Sequence, residues 1–308
     1  MNENKKYLLV IEGPTASGKT ALAIGLAQYF KAEILSCDSR QFFKEMTIGT
    51  AKPTTEELAA AVHHFVDCLS IEQAYNIGDF ERDALSFLTT YYKEHDLAIM
   101  VGGSGLYSRA VCHGIDEYPA VDKGIREALN ELLETKGIES LQEELAIADP
   151  IYYKKVDLSN PHRLIRALEI CRGTGAPFSS FQGRNKVKRP FEVIKIGIDW
   201  DRAKLYERIN LRVDLMLQNG LLEEAKSLYP KRHLNALQTV GYREFFDHFD
   251  GLTSLEEAIE LVKRNTRRYA KRQLTWLRKE TELHWVKAGT ATDEVIDWVK
   301  NQLNKTNC

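Results

Sequence analysis

The fold of this chain is decided by one stretch, Gly13-Pro14-Thr15-Ala16-Ser17-Gly18-Lys19-Thr20. This stretch fits the G-x-x-x-x-G-K-[S/T] pattern of a phosphate-binding loop. Residues 7–11 before it predict a short buried strand, and residues 19–30 predict a helix. In such a unit the backbone N–H groups of the loop and the helix N-terminus converge on one anionic group. We therefore predict a di- or triphosphate site, with Lys19 supplying positive charge and the Thr20 hydroxyl holding a magnesium ion.

The composition of the 308 residues is typical of a soluble globular protein of one large or two ordinary domains, with 44% hydrophobic and 28% charged residues. No apolar run approaches the ~18 residues of a membrane helix, and residues 1–6 are too polar for a secretory signal. The odd, scattered cysteines predict reduced thiols in a cytoplasmic protein, without zinc or a disulfide framework. They are Cys37, Cys68, Cys112, Cys171 and Cys308.

Strand and helix patterns alternate over the first hundred residues. The predicted strands are 7–11, 33–37 and 97–101, and the predicted helices are 19–30, 54–64 and 78–93. This alternation predicts an α/β fold, a P-loop NTPase-like parallel sheet flanked by helices. Ligands of such sheets bind at the carboxyl ends of the strands.

The pattern changes after about residue 118, where helical periodicity replaces the strands. A polar, basic stretch at 179–189 predicts a link, a strand pattern resumes at 191–198, and we expect helices from there to the end. The sequence therefore predicts a core of residues 1–118 and 187–308 that carries a helical insertion domain of residues 119–186.

Asp38 follows the second predicted strand and begins Asp38-Ser39-Arg40-Gln41. An Asp at this edge of the sheet faces the phosphate site, where it could serve as a magnesium ligand through water or as a general base. An N-cap for the next segment remains the alternative.

Two glycine loops have weaker signatures. Residues 49–53 (GTAKP) and 102–107 (GGSGLY) either let a backbone approach a ligand or form tight turns. No Asp ends the third strand, and no Asn-Lys-x-Asp signature is present, which argues against an ordinary ATPase or GTPase.

The densest charge lies at 263–279, where eight Lys and Arg residues occur without one acid. Arg264, Arg268 and Arg272 recur every four residues and so lie on one helix face, an arrangement that a polyanion would stabilise. Tyr269 and Trp276 could stack on bases.

Together these motifs resemble the tRNA dimethylallyltransferase family, over nearly the whole chain. The motifs are GPTASGKT (13–20), DSRQ (38–41), GTAKP (49–53), GDF (78–80), VGGSGLY (101–107), DP (149–150), HRLIRALE (162–169), GLLEEA (220–225), QTVGYRE (238–244) and TRRYAKRQLTWLR (266–278). The resemblance implies transfer of a dimethylallyl group from dimethylallyl diphosphate to N6 of adenosine 37 in tRNA, with magnesium and with release of diphosphate. The basic helix would hold the anticodon stem-loop, and the insertion would clamp it from the other side.

The resemblance also implies site residues. Asp38 would be the general base, aided by Lys19 and Ser104. The diphosphate would bind to Gly13, Pro14, Thr15, Ala16, Ser17, Gly18, Lys19 and Thr20; Arg208 or Arg212 could also reach it, and Arg212 is the candidate that we name. The implied tRNA-binding set is Asp38, Ser39, Arg40, Gln41, Ser104, Arg126, His162, Arg163, Leu164, Ile165, Arg166, Gln238, Thr239, Val240, Gly241, Tyr242, Arg243, Lys271, Arg272, Gln273, Leu274, Thr275, Trp276, Leu277 and Arg278.

The chain departs from the family pattern at Ser104, where Thr is usual, and at Phe43, where Tyr is usual. The sequence has no C-x-x-C pair of the kind that a zinc finger needs, so we expect a bacterial-type enzyme without zinc. Nothing in the sequence requires more than a monomer. Two other interpretations remain: a small-molecule P-loop enzyme, such as a kinase or an adenylate prenyltransferase, and a non-catalytic RNA-binding module.

Overall fold

The computed structural model describes residues 5–183 and 187–305. The strands in these ranges are β1 (Tyr7–Glu12), β2 (Ile34–Ser36), β3 (His63–His64), β4 (Leu97–Gly102), β5 (Glu192–Asp199) and β6 (Leu283–Lys287). They form one sheet in the order β3-β2-β4-β1-β5-β6, and every pairing is parallel. The predicted α/β fold with a parallel sheet is thereby confirmed.

Helices cover both faces of the sheet and build the rest of the chain. They are α1 (Lys19–Phe30), α2 (Thr55–Ala60), α3 (Ile77–Tyr91), α4 (Gly105–His113), α5 (Lys123–Lys136), α6 (Ile138–Ala148), α7 (Pro150–Tyr153), α8 (Pro161–Thr174), α9 (Arg202–Gln218), α10 (Leu221–Leu228), α11 (Arg243–Phe249), α12 (Leu255–Leu277) and α13 (Thr292–Lys305).

The central strand β1 explains how the sheet positions the phosphate-binding loop. All six of its residues are buried, because β4 and β5 flank it and helices cover its two faces. Leu9 and Ile11 pack into one apolar cluster, and Leu8 and Val10 pack into another on the opposite face. Side chains of a strand alternate between faces, so a strand buried on both sides has a nearly continuous apolar sequence. The loop therefore leaves the carboxyl end of the most buried strand.

The chain divides into two compact units, residues 1–112 with 189–308 and residues 113–188. The second unit has its own apolar core, to which α5, α6 and α8 contribute Leu129, Leu145 and Leu168. Buried Asp149 accepts hydrogen bonds from Tyr152 N (2.9 Å) and from the Ser179 hydroxyl (2.8 Å). This unit encloses the predicted insertion 119–186, whose end, like Cys308, lies outside the described residues.

Two local expectations are wrong. The helix predicted over 54–64 ends at Ala60, and His63–His64 pairs with β2 as an edge strand. A capping box at Thr54 stabilises the helix start, but Ala61 is extended and the chain leaves the helix there. After 198, helices do not continue to the end, since Leu283–Lys287 pairs with β5. Both missed strands are at the edges of the sheet, where the apolar pattern is weakest.

Among the described residues, no helix is both long and apolar enough to span a lipid bilayer.

Candidate functional site

The phosphate-binding loop wraps around the space at the end of β1. Gly18 has φ of 87°, a left-handed conformation that glycine adopts without strain, and it leads directly into α1. The Lys19 ammonium donates to Pro14 O at 2.7 Å. The buried Ser17 hydroxyl has no hydrogen-bond partner within the described ranges. The loop thus places a cation at the helix N-terminus, beside a buried hydroxyl.

A cavity extends from this loop into the first unit. Its polar lining includes Thr15, Lys19, Thr20, Asp38, Arg212 and Tyr269. Its apolar lining comes from α9, α10 and α12 and includes Ile209, Val213, Met216, Leu221 and Val262. The cavity therefore combines a cationic, hydrogen-bonding part with a hydrocarbon-lined part, as a ligand with an anionic head and an apolar tail requires.

Burial shifts the protonation of the cavity cations. It lowers the pKa of Lys19 from 10.5 to about 8, against the opposing charge of Asp38, while the nearby Arg212 lowers it further. Burial likewise lowers the pKa of Arg212, and Asp38 again opposes the shift. Asp38 is thus the carboxylate that compensates two buried cations, and an anionic ligand between them would favour their charged forms.

The turn after β2 fixes Asp38. Its carboxylate Oδ1 accepts from Arg40 N at 3.0 Å, so the side chain closes its own turn as a cap does. Gln41 ties this turn to the loop at 49–53 by donating to Thr50 O (3.3 Å) and Ala51 O (3.1 Å). Arg40 donates to Asn235 O and Ala236 O at 3.1 and 3.0 Å. The carboxylate is therefore held in the cavity wall by three separate segments.

The structure distinguishes Arg208 from Arg212. Arg208 donates to Ala16 O at 3.0 Å and stacks over the Trp200 ring, with 4.8 Å from its guanidinium carbon to the ring centroid. It supports the loop from outside. Arg212 lines the same cavity as Lys19 and Asp38, and the charge of Asp38 acts on it. It is therefore the arginine that a ligand in the cavity would meet.

Helix α12 contacts two loops of the cavity through Gln273. The Gln273 side chain accepts from Thr15 N at 2.9 Å and donates to Gly103 O at 2.8 Å. A Cβ on Gly103 would lie 2.3 Å from Gln273 Nε2, and a Cβ on Gly105 would lie 2.1 Å from the Trp276 ring. These glycines are needed for the close approach of α12.

Tyr269 of α12 lines the cavity together with Asp38. Burial raises the pKa of the Tyr269 hydroxyl to about 12; the charge of Asp38 acts in the same direction, and the Ser104 side chain opposes the shift. The Arg272 guanidinium carbon lies 5.7 Å from the Tyr269 ring centroid. Asp38 and Ser104 are therefore both neighbours of Tyr269.

Glu224 of α10 organises the 49–53 loop. Its carboxylate accepts from the backbone N–H groups of Thr47, Ile48 and Gly49 at 2.8–3.0 Å and from the Tyr242 hydroxyl at 2.7 Å. The Lys52 side chain, only 3% exposed, pairs with Asp67 and donates to Phe43 O at 2.6 Å. Lys52 is consequently a structural tie and not a free cation.

The second half of α12 has an exposed basic face. Arg268, Lys271 and Arg272 are exposed and, with Thr275, Trp276 and Lys279, line a shallow groove. Lys263 and Arg267 of the same helix instead bind Asp214 (2.7 Å) and Asn210 (2.5 Å) of α9. The predicted face of Arg264, Arg268 and Arg272 is exposed, whereas α9 binds Lys263 and Arg267 of the same run.

The second unit has its own group of arginines. Arg126 and Arg166 both bind the buried carboxylate of Glu169, at 3.3 and 2.9 Å. Arg166 also stacks on the Tyr118 ring, with 5.1 Å to its centroid. Both arginines remain more than 40% exposed, at 48% and 42%, so Glu169 orients two cations that still face solvent.

The sequence of this chain matches a known protein family and named relatives. The family model described as IPP transferase matches residues 41–280. This chain belongs to the IPP transferase family. It is 55% identical to the tRNA dimethylallyltransferase of Christiangramia forsetii over 97% of this chain and 99% of the relative. It is 50% identical to that of Flavobacterium johnsoniae, over 98% and 99%.

Solved structures of IPP transferases have the same fold. The tRNA isopentenylpyrophosphate transferase of Bacillus halodurans matches with a TM-score of 0.74 and 36% identity, over 98% of both chains. A eukaryotic dimethylallyltransferase described as acting on tRNA matches with a TM-score of 0.80 and 26% identity, over 96% of this chain and 80% of that one.

Within the motifs of the family, several residues predicted to touch tRNA are buried. The side chains of Leu164, Ile165, Tyr242, Leu274 and Leu277 are buried, so contact with tRNA at these positions would have to involve the backbone, and it stays a prediction. A contiguous motif on a helix necessarily includes residues that face inward. Gln273 is also buried, and both ends of its amide are bonded to the protein.

Other members of the predicted set are accessible. The exposed ones are His162, Arg163, Gln238, Arg243, Lys271, Arg272, Thr275 and Arg278. Sequence reasoning missed the roles of Glu224 and Tyr269 as site-forming residues; only the GLLEEA motif and the aromatic position within the basic run pointed toward them.

Proposed function

We propose that this protein transfers a dimethylallyl group from dimethylallyl diphosphate to N6 of adenosine 37 of tRNA and releases diphosphate. The observation that carries the proposal is the single cavity in which Lys19, Arg212 and Asp38 lie beside an apolar wall. Family membership and the 55% identity to a tRNA dimethylallyltransferase support it.

The phosphate-binding loop would hold the diphosphate. The cations Lys19 and Arg212 line the cavity, and the loop N–H groups would join them in stabilising the negative charge that grows as the bond to carbon breaks. The apolar wall of Ile209, Val213 and Met216 would take the dimethylallyl chain. Substrate orientation and charge stabilisation then account for most of the expected rate enhancement.

Asp38 would accept the proton of the adenine amino group as N6 attacks the allylic carbon. The adenine must leave its stack to reach the cavity, where it would meet Tyr269 of the cavity lining and the neighbouring Ser104. The exposed face of α12 (Arg268, Lys271, Arg272) and, in the second unit, Arg126 and Arg166 would bind the stem-loop phosphates.

Magnesium fits this site as a partner of the diphosphate. The Thr20 hydroxyl and the Asp38 carboxylate are oxygen ligands of the kind that Mg²⁺ prefers, and Mg²⁺ usually keeps several waters and binds substrate phosphates. Among the described residues no group of three or more His, Cys, Asp or Glu could hold a metal by itself. When bound, the ion would neutralise charge on the leaving diphosphate. A monomeric state and a cytoplasmic location stay predictions.

The test is to incubate the protein with magnesium, dimethylallyl diphosphate and unmodified tRNA carrying adenosines at 36 and 37, and to weigh the nucleosides after digestion. We expect a dimethylallyl increment on adenosine that disappears in Asp38→Asn, while the exposed Asp297→Asn keeps it. AMP, ADP and ATP serve as alternative acceptors in parallel. Prenylation of a free nucleotide without prenylation of tRNA would replace our proposal with the small-molecule enzyme.

A further inference from the structure

Glu12 is a buried carboxyl group that the proposed reaction does not use. It is the last residue of β1, directly before the phosphate-binding loop, and its side chain is almost inaccessible, with 3% of the residue exposed. Its Oε2 atom has no hydrogen-bond partner among residues 5–183 and 187–305. An ionised carboxylate in this position would be expensive, because the side chain is shielded from bulk solvent and no second protein donor among the described residues compensates its charge.

The hydroxyl of Ser108 on α4 indicates which form of Glu12 fits. Ser108 Oγ lies within hydrogen-bonding distance of two acceptors, Glu12 Oε1 and Gly105 O, the latter at 3.0 Å. A serine hydroxyl has one hydrogen and can donate to only one of them. Both contacts become hydrogen bonds when Glu12 donates a proton to Ser108 Oγ and Ser108 donates to Gly105 O.

The charged neighbours of Glu12 do not provide a cation that would stabilise its ionised form. Lys195 of β5 binds Glu280 at 3.1 Å, so its charge is largely compensated. Burial is the largest influence and raises the pKa of Glu12, and Glu280 acts in the same direction; Ser108, Lys195 and Lys19 oppose it. The nearby thiols of Cys37 and Cys112 are buried, and burial raises the pKa of both.

We propose that Glu12 stays protonated in the folded protein and acts as a positioning residue. Its chain of hydrogen bonds through Ser108 to Gly105 ties the first turn of α4 to the end of β1. Ser104, which immediately precedes α4, is thereby held in register with the phosphate-binding loop. The consequence for catalysis rests on the proposed function, whereas the protonation of Glu12 does not.

Infrared difference spectroscopy tests the protonation directly. The spectrum of the wild type minus that of Glu12→Gln at pH 7 should contain the carbonyl stretch of a protonated carboxylic acid. A difference spectrum that contains only the two carboxylate bands would mean that Glu12 is ionised and would overturn the proposal. This readout requires no substrate.

The pH dependence of stability provides a second readout. Because the folded pKa of Glu12 lies above its unfolded value of 4.5, the stability that the protonated group contributes is complete below that pH and declines as the pH rises toward the folded pKa. Gln does not titrate. The Tm of Glu12→Gln minus the Tm of the wild type should therefore be about 2 °C or more larger at pH 8 than at pH 4.5. A gap that is the same at both pH values would contradict us.

Kinetics test the positioning role. Glu12→Ala should lower kcat for tRNA prenylation by about tenfold or more, with little change in KM for dimethylallyl diphosphate, because Ser104 loses its register. Glu12→Gln should restore most of kcat, since its amide donates to Ser108 as the acid does. Equal loss in both variants would refute the positioning role, and absence of prenylation by the wild type would refute only the proposed function.

Discussion

The cations that line the cavity and the cations on the exposed face of α12 differ in burial and in partners. Lys19 and Arg212 are buried enough that the pKa of each is lowered, and Asp38 compensates both. Arg268 and Arg272 are exposed to solvent and lie one helical turn apart. The first pair surrounds a defined volume, and the second pair faces open space.

This difference determines what each set can recognise. Lys19 and Arg212 are half-buried and have lost part of their hydration, so an anion of matching shape restores some of that lost solvation. An exposed arginine keeps its hydration and contributes modestly, through interactions that salt screens. The cavity therefore suits a small anion of fixed shape, and the α12 face suits a polyanion whose charges can be contacted one at a time.

Lys19→Ala should have the largest effect that separates the two sets. We expect kcat/KM for dimethylallyl diphosphate to fall by about 10²-fold or more, since a charge-assisted contact to the leaving group is lost. The Kd for tRNA should change by less than about twofold. Steady-state kinetics and filter binding measure the two quantities, with the exposed Lys204→Ala as the control. A parallel loss of tRNA affinity would show that the two sets are not distinct.

Alkaline pH should weaken diphosphate binding and leave the α12 face charged. The pKa of Lys19 is lowered to about 8 by burial, so the ammonium that binds the anion is lost as the pH rises through that value. The affinity should fall by up to about tenfold per pH unit above it. Calorimetry with inorganic diphosphate from pH 6.5 to 9.5 measures this. Lys19→Arg, which keeps its charge throughout, should lose the fall; persistence of the fall would assign it to another group.

Arg272→Ala should act on tRNA alone. We expect about three- to tenfold weaker binding and a slope of log K against log salt that is smaller by about 1, because one phosphate contact is removed. KM for dimethylallyl diphosphate should not change. The control is Arg82→Ala, an arginine of α3 that is 68% exposed. An unchanged salt slope would remove Arg272 from the RNA surface.

Glu169→Gln should have the smallest effect. Gln cannot compensate Arg126 and Arg166 as the carboxylate does, so both arginines lose their fixed orientation but keep their charge. We expect tRNA affinity to fall by about two- to threefold, with the salt slope unchanged. A decrease in the slope would instead show that the contacts themselves had been lost, and circular dichroism checks that the helices remain.

The sequence predicted the features whose signals are local. β1, the phosphate-binding loop and α1 follow from 24 consecutive residues, 7–30, because an apolar run, spaced glycines and a helical period all occur there. β3 and β6 were missed because a two-residue edge strand and LHWVK lack a continuous apolar pattern. Edge strands are half-paired, and their sequences are less constrained.

The sequence could not predict those features of the site that depend on distances between residues far apart in the chain. Arg208 and Arg212 are separated by one helical turn and look alike in sequence, yet Arg208 binds Ala16 O and Arg212 lines the cavity. Glu12 gave no signal, because its significance depends on Ser108, 96 residues away along the chain. Motif membership pointed to α12 as the helix that we propose binds RNA, but it could not separate the buried Leu274 from the exposed Arg272.

Gln273 couples the surface proposed to bind RNA to the phosphate-binding loop. One 23-residue helix, α12, carries Arg268 and Arg272 on its outside, while Gln273 of the same helix holds Thr15 N and Gly103 O on its inside. Any free-energy difference that RNA imposes on the position of this helix is therefore also imposed on the diphosphate loop. Thermodynamic linkage makes such coupling reciprocal. If RNA binding strengthens the hydrogen bonds of Gln273 and raises the affinity for diphosphate, diphosphate raises the affinity for RNA by the same factor.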